Sequence, residues 1–373
     1  MDLDDSAVTG PGGLLERFAQ LPDPRARRGR RHPLAALLVV AAAAVLAGAR
    51  SSAATGQFSR AVPQATLARL GTWQRPWSTW HVAPSETTLR WVLQQVDADE
   101  LDRVVGGWLA GQAAAGHGPV AVDGKVLRGA RQPGGHQAHL SAALTHDSGT
   151  VLAQREVVAT TNETTQLAPL LDGVGLAGRV VTADALHPPP ARPATWPSGA
   201  PTTCSPSRAT SRAWPRRPAG WLPRSFPPAH TTVDRGHGRI ERRSLHAAPA
   251  RTTFPGARQV LVLTRHVTGL KGGKPRTEVA DGITSLDACR AGPARLGVLV
   301  RGQWQIENRA HWVRDVTSGE DRSQVRAGHG PQVMACLRNL AVSLLRLAGE
   351  ANIAAGLRDT AWERSRAFAL PGT

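Results

Sequence analysis

The chain has 373 residues, 41% of them hydrophobic, which is enough for two or three domains with buried cores. Its 45 Lys and Arg against 28 Asp and Glu give a formal net charge of +17, which favours a polyanionic partner because each neutralised phosphate releases condensed counterions. The three cysteines (Cys204, Cys289 and Cys336) are scattered, which excludes a disulfide framework or zinc-ligand spacing and makes a reducing cytoplasm the expected compartment.

Arg far outnumbers Lys, as a GC-rich gene would also produce, so the charge suggests nucleic acid without deciding it. Residues 1–12 read as a flexible N-terminus and 13–115 as helical. LLERFAQL opens a first helix, and PDPRARRGRRHP follows as a basic loop whose Pro33 is placed to start the next helix. That helix, Leu34 to Ala49, is Ala-rich and shorter than the roughly 20 residues that span a bilayer. It also starts too far from Met1 for a signal peptide, so it reads as a buried helix and no membrane partner is expected. Ser85 is an N-cap candidate, followed at helical spacing by Leu89, Val92, Leu93 and Val96. With ADELDRVVGGWLAGQ behind it, this resembles a helix–turn–helix that would bring Thr87, Thr88 and Arg90 near a DNA groove. Trp73, Trp77, Trp80 and Trp91 read as core or loop anchors.

From Gly118 the apolar period changes from helical to strand-like. PVAVDGK ends a strand near Asp123, HLSAALT and TVLAQREVV follow across a His146–Gly149 turn, TTNETTQLAPLLDGV is a capped helix, and RVVTADAL is a strand ending near Asp184. Strand, strand, strand, helix, strand is the order of an RNase H-like core, in which the first and fourth strands are neighbours. Asp123 and Asp184 would then emerge together. Residues 188–228 break the pattern, with 12 of the 28 Pro, no Asp or Glu, and Leu222 as the only Leu, Ile or Val. They are read as unable to supply a buried strand. RQVLVLTRHV and EVADGITSL read as strands of a β-rich insertion, and a long helix starts after Pro293. On it Gln303, Glu307, His311 and Arg314 share one face, and VMACLRNLAVSLLRLAG forms a further apolar helix.

Two strand-end Asp and a helix-borne Glu suit phosphodiester chemistry with two metal ions about 4 Å apart. Mg²⁺ prefers such oxygen ligands. Asp315, Glu320 and Asp321 are the acidic competitors for the third role.

VAVDGKVLRGAR, VTADALH, DRGHGRIERR and above all WQIENRAHWVRDVTSGEDRSQVR resemble the ISAs group of bacterial insertion-sequence transposases in the wider DDE superfamily. QLPDPRARRGRRHPL and PSETTLRWVL resemble the helical transposase-associated domain of that group. The resemblance implies an α/β fold with an RNase H-like catalytic core (a mixed sheet flanked by helices), a β-rich insertion, and an N-terminal all-helical domain. It divides the chain into a helical domain at 13–115, core at 116–187 and 291–348, an aberrant stretch at 188–228, an insertion at 229–290, and a tail at 349–373. It further implies metal-dependent DNA cleavage and strand transfer on terminal inverted repeats and target DNA, by a nucleoid-associated homodimer. Asp123, Asp184 and Glu307 fall on the catalytic, metal-holding positions, served by two Mg²⁺ or by Mn²⁺. Lys125, Arg128, His311 and Arg314 are the candidates for holding phosphates, and Trp304 and Trp312 for stacking on an unpaired base. The departures from the wider superfamily are the lack of any Tyr, and Gln303 and Arg314 standing where Arg and Lys are usual around the Glu.

The group also has a strand carrying Lys-Gly-Asn-Gln where this chain has residues 188–228. Back-translating Pro201–Arg212 with chosen codons and dropping two bases gives His-Tyr-Leu-Leu-Pro-Val-Lys-Gly-Asn-Gln-Pro. Two compensating frameshifts, near residues 187 and 228, account for that. On this reading the core strand after Asp184 is lost, and the expected alternatives are an inactive copy or a decayed relative that only binds DNA.

Overall fold

A computed structural model describes residues 13–112, 118–131, 137–157, 163–184, 202–208, 228–252, 256–272 and 274–371. The N-terminus expected to be flexible (1–12) and most of 188–228 lie outside them.

Six helices come first: α1 (Leu14–Ala19), α2 (Leu34–Leu46), α3 (Ser52–Arg60), α4 (Gln64–Arg69), α5 (Glu86–Gln95) and α6 (Ala98–Gln112). Every residue of α2 is buried, which a helix apolar on all sides requires. Its neighbours include α1, α3 and α5 and, from the far end of the chain, α9 (Gly330–Leu347) and α11 (Arg366–Ala369). No helix among the described residues is long and apolar enough to cross a membrane. Ser85 caps α5, its hydroxyl accepting from the Thr88 N–H at 3.2 Å.

The sheet has nine strands in the order β3-β2-β1-β4-β5-β9-β8-β7-β6. They are β1 (Val120–Arg131), β2 (Gln137–Thr145), β3 (Val151–Glu156), β4 (Val180–Ala183), β5 (Thr202–Arg208), β6 (His230–Gly236), β7 (Arg239–Pro249), β8 (Gln259–Gly269) and β9 (Arg276–Thr284). Strands β1, β4 and β5 run parallel and the other pairings are antiparallel. The first four strands have the order anticipated from the sequence, with β1 and β4 adjacent. Helix α7 (Glu163–Leu171) makes the crossover from β3 to β4 and packs on one face. On the opposite face lie α8 (Pro293–Gln303) and its continuation to residue 317.

One expectation changes and two gain detail. A strand does form inside 188–228: β5 pairs with β4 on one side and β9 on the other. Without it the facing edges of β4 and β9 would leave backbone N–H and C=O groups unpaired in the interior, so the ladder is favoured whatever the side chains. The segments expected as a β-rich insertion do form strands, and β6–β9 extend the same sheet. Likewise the N-terminal helices share a single apolar core with α9, α10 (Ile353–Trp362) and α11. Phe368 from the stretch read as an uninformative tail is buried there, stacked on Phe58.

Candidate active site

Alternation along β1 decides which side chains meet the α8 side. Val120 and Val122 pack with Leu167, Leu170 and Leu171 of α7, whereas Ala121 packs with Ile306 and Ala310. Asp123 has the parity of Ala121 and so belongs to the α8 face. The β1–β4 register pairs Ala121 with Thr182 and Val122 with Ala183, so the next residues along are Asp123 and Asp184. The strand expected to end near Asp123 runs on to Arg131, so Asp123 lies within β1, whereas Asp184 directly follows the end of β4. The two occupy neighbouring positions on parallel strands about 4.8 Å apart, with the parity of the face that α8 covers.

The helix expected to run straight from Pro293 changes character as it reaches that point. It is α-helical to Gln303, then π-helical over Glu307–His311 and Val313–Thr317. Such widened turns recur where a helix must aim side chains at a site. Here Asp123, Glu307 and His311 offer ligand atoms that all lie within 4.8 Å of one another. His311 Nδ1 is 3.1 Å from Glu307 Oε2 and 3.7 Å from Asp123 Oδ2. Asp123 Oδ1 also accepts from the Gly124 N–H at 2.9 Å. The His311 hydrogen bond, with the nearby charges of Lys125 and Arg128, holds the Glu307 carboxyl below its ordinary range, so it is ionised at neutral pH.

One buried side chain ties the three elements together. Gln303 Nε2 donates to the Val122 carbonyl at 2.8 Å, next to Asp123. Its Oε1 accepts from the Thr182 hydroxyl at 2.6 Å, two residues before Asp184. Gln303 itself stands one turn before Glu307. Thr182 Oγ1 is in turn 2.9 Å from His146 Nε2, and burial pushes the His146 pKa down to about 4. The imidazole needs Gly302 opposite it, where an added Cβ would lie 2.0 Å from Nδ1. Arg309 holds the same turn from the helix, donating to the Asp147 carbonyl at 2.8 Å. Sequence reading put Gln303 on the right helix face, but its partners lie more than a hundred residues away and leave no local signal.

The candidate phosphate-holding cations separate. Arg128 is exposed, 3.9 Å from Asp321. Lys125 is mostly buried and paired with Asp315 at 2.6 Å, so its charge is already matched. His311 is buried against the carboxylates instead of facing solvent. Arg314 is 1% exposed and bound to Glu320 at 2.8 Å, while Arg338 reaches the same carboxylate at 3.1 Å. A guanidinium so enclosed cannot clamp a phosphate, and it works as a structural cation. Glu320, a competitor for the third carboxylate, is neutralised in the same cluster.

The tryptophans also differ from expectation. Trp77, Trp80 and Trp91 are exposed and not core anchors, with Trp77 at a positive φ of 59°. Trp73 is half-buried beneath the Arg31 guanidinium. Trp312 is exposed, and Trp304 packs partly against the apolar cluster under α8.

Comparison with known proteins gives a consistent picture. The family model described as "Transposase DDE domain" matches residues 114–344, and one described as "DDE_Tnp_1-associated" matches residues 15–109. The chain is 23% identical to "Putative transposase YncI" of Escherichia coli O157:H7, over 89% of this chain and 87% of that protein. It is 22% identical to "H repeat-associated putative transposase YhhI" of Escherichia coli K12, over 89% and 90% respectively. Among solved structures, the piggyBac transposase synaptic complex with hairpin DNA aligns with 95% of this chain and 78% of its own. With a TM-score of 0.42 and 9% identity, that likeness is too distant to bear on mechanism.

Proposed function

Because the chain belongs to the DDE transposase family, with the family's associated region at its N-terminus, we propose that it cleaves and joins DNA at Asp123, Asp184 and Glu307. The observation that carries this reading is the approach of Asp123 on β1 and Glu307 on the π-helical turn to within ligand distance, with Asp184 at the neighbouring position that follows β4 in register.

The donor set fits a hard divalent cation. Asp123 and Glu307 supply carboxylate oxygens within reach of one another, and Asp184 enters from the adjacent strand. His311 Nδ1 faces the same carboxylates, while its Nε2 is buried with no hydrogen-bond partner. Mg²⁺, or Mn²⁺ in its place, would be held by Asp123, Asp184 and Glu307 and would supply the polarisation that activates a water or a 3′ hydroxyl and stabilises the leaving oxygen. The chain's own work is positional. Gln303 fixes the strand-to-helix spacing, and the His311 contact keeps Glu307 ionised and aimed inward. Arg128 is an exposed cation on β1, suited to a phosphate of the DNA substrate. The substrate is double-stranded DNA, the terminal inverted repeats and the target, engaged by a homodimer.

The test is cleavage of a duplex bearing the element's terminal repeats by the purified chain with Mg²⁺. Wild-type protein should nick and join it, and Asp123→Asn, Asp184→Asn and Glu307→Gln should each abolish cleavage while leaving binding. Cleavage surviving in any of the three removes that residue from the site. A second reading, binding without catalysis, is favoured by Pro206, which lacks a backbone N–H yet lies within the interior strand β5. Wild-type protein that binds but never cleaves would establish it.

A further inference from the structure

Between the β6–β7 hairpin and the Glu307 helix runs a half-open groove of about 1080 Å³. Six guanidiniums line it: Arg235, Arg239, Arg243, Arg265, Arg276 and Arg301. Apart from Glu307 at its end, three carboxylates answer them, Asp234, Glu241 and Glu278, which leaves an excess of three positive charges. The hairpin that forms one wall is closed by His237 and Gly238, both at positive φ, as a tight two-residue turn requires.

The acids organise the arginines without cancelling them. Glu241 is buried and contacts Arg239, Arg243 and Arg265, and the Arg265 hydrogen bond holds its carboxyl below the ordinary range. Arg243 and Arg265 lie directly opposite each other in the β7–β8 register, a like-charge pairing that is tolerated because Glu241 bridges them. Asp234 similarly joins Arg243 to Arg301 of α8. Arg276, 77% exposed, is held 3.0 Å from Glu278. A second groove, of about 270 Å³, has the opposite character. It is lined by Asp97, Asp99, Glu100, Asp102 and Asp172 with only two arginines. A polyanion would be repelled there and attracted to the first groove.

We propose that the arginine groove seats the sugar–phosphate backbone of the DNA strand leading away from the bond attacked at Glu307. The placement argues for this ligand over a small anion. The groove opens directly onto Glu307 and Asn308, so a chain of phosphates lying in it has one end at the carboxylates. Its volume exceeds the usual range of about 300–1,000 Å³ for small-molecule sites. Arginine forks suit successive phosphate oxygens and carry no base preference. The inference rests on the transposase reading for the identity of the polyanion.

Because backbone contacts are independent of sequence, the test needs no knowledge of the terminal repeats. The full chain is titrated against a fluorescein-labelled DNA duplex of arbitrary sequence across a range of NaCl concentrations. Arg235→Gln with Arg276→Gln removes two exposed groove cations and spares the three arginines on Glu241. The double variant should bind about tenfold more weakly, with a salt slope shallower by about 2, from roughly 0.9 per phosphate contact. Arg103→Gln, an exposed cation in the acidic groove, should leave both unchanged. Wild-type affinity and slope in the double variant overturn the proposal, and so does equal weakening by Arg103→Gln. The two readings fail separately. If groove variants lose binding but wild-type protein never cleaves with Mg²⁺, the groove stands and the catalytic reading falls. If cleavage depends on Asp123 while groove variants bind and cleave normally, the reverse holds.

Discussion

Replacing Gln303 by leucine tests whether the bridge between β1, β4 and the Glu307 helix sets the geometry of the carboxylates. The two side chains are close in volume, so little cavity energy enters and the change is mainly one of polarity. The Val122 carbonyl loses a donor at 2.8 Å and the Thr182 hydroxyl loses an acceptor at 2.6 Å, all in a buried setting. A buried group stranded in this way costs about 1–3 kcal/mol. Thr182 keeps its contact with His146 at 2.9 Å and can turn toward the Val120 carbonyl at 3.4 Å, so its share falls at the low end. The total is about 2–4 kcal/mol, which at about 2 °C per kcal/mol for a chain of this size lowers the melting midpoint by roughly 4–8 °C.

Well below that midpoint the variant stays folded, and the effect on chemistry can be read separately. Residues that orient metal ligands typically change metal affinity or activity by about 10–100-fold when lost. Gln303→Leu should therefore raise the Mg²⁺ concentration for half-maximal cleavage by about tenfold or more. Thr182→Val should produce part of the same shift, and Thr182→Ser, which keeps the hydroxyl, should restore it. Because Thr182 and Gln303 share one hydrogen bond, the double variant should fall short of the sum of the singles. A Gln303→Leu protein that cleaves with the wild-type Mg²⁺ requirement would refute the argument, however much stability it had lost.

Three further outcomes follow from the same contacts. Burial lowers the His146 pKa to about 4 and raises that of Asp102 to about 7. Between about pH 4 and 6.5 the unfolded chain binds the His146 proton and the native state does not, so stability falls with acid by up to about 1.4 kcal/mol per pH unit. Asp102 is protonated in the native state over that window and ionised in the unfolded chain, so stability rises with acid at a similar slope, and the two largely offset. In urea titrations Asp102→Asn should therefore lose stability on acidification and His146→Gln should gain it. Identical pH profiles in both would show that neither group is shifted as stated. Glu320→Gln should strand two buried guanidiniums, Arg314 and Arg338, at a cost of about 3–5 kcal/mol, whereas Glu307→Gln should cost little stability and all cleavage. The opposite pattern in melting and cleavage assays would exchange their roles. Ser205→Leu should stabilise the protein by about 1–3 kcal/mol, since Ser205 lies between Ile283 of β9 and the strand position after Thr182. An unchanged or lower melting midpoint would mean that β5 has no apolar face to fill.

The neighbouring positions of Asp123 and Asp184 were legible because strand order is carried by local period: PVAVDGK and RVVTADAL each read as strands and β1 and β4 adjoin as expected, although β1 runs on past Asp123 to Arg131. Motif and helix spacing put Glu307 on the helix face that the structure turns toward Asp123. What stayed hidden depends on contacts across long sequence separations. Arg314 reads like a surface clamp until Glu320 and Arg338 close around it, although an acid six residues downstream in the same motif was a usable hint. The π-helical turns of the Glu307 helix have no periodicity signal that a straight helix lacks. The entirely apolar α2 did carry a signal, since a helix without a polar face must be surrounded, and its partners proved to be helices from both ends of the chain.

Strand β5 is the case where composition and topology disagree. Thr202–Arg208 has almost nothing a buried strand prefers, yet it pairs at the place the fold order demands. The back-translation with chosen codons places apolar residues over this stretch, and the gene's nucleotide sequence decides whether a shifted frame encoded them. Backbone pairing with β5 keeps β4 from becoming an edge, and β4 is the strand that delivers Asp184. The carboxylates are therefore only as well supported as β5 is stable. An apolar residue at Ser205 and the bridge at Gln303 should act on the same quantity, the distance between Asp184 and Glu307. If so, Ser205→Leu should lower the Mg²⁺ requirement for cleavage as well as raise the melting midpoint, and a gain in stability with no change in that requirement would separate the strand from the site.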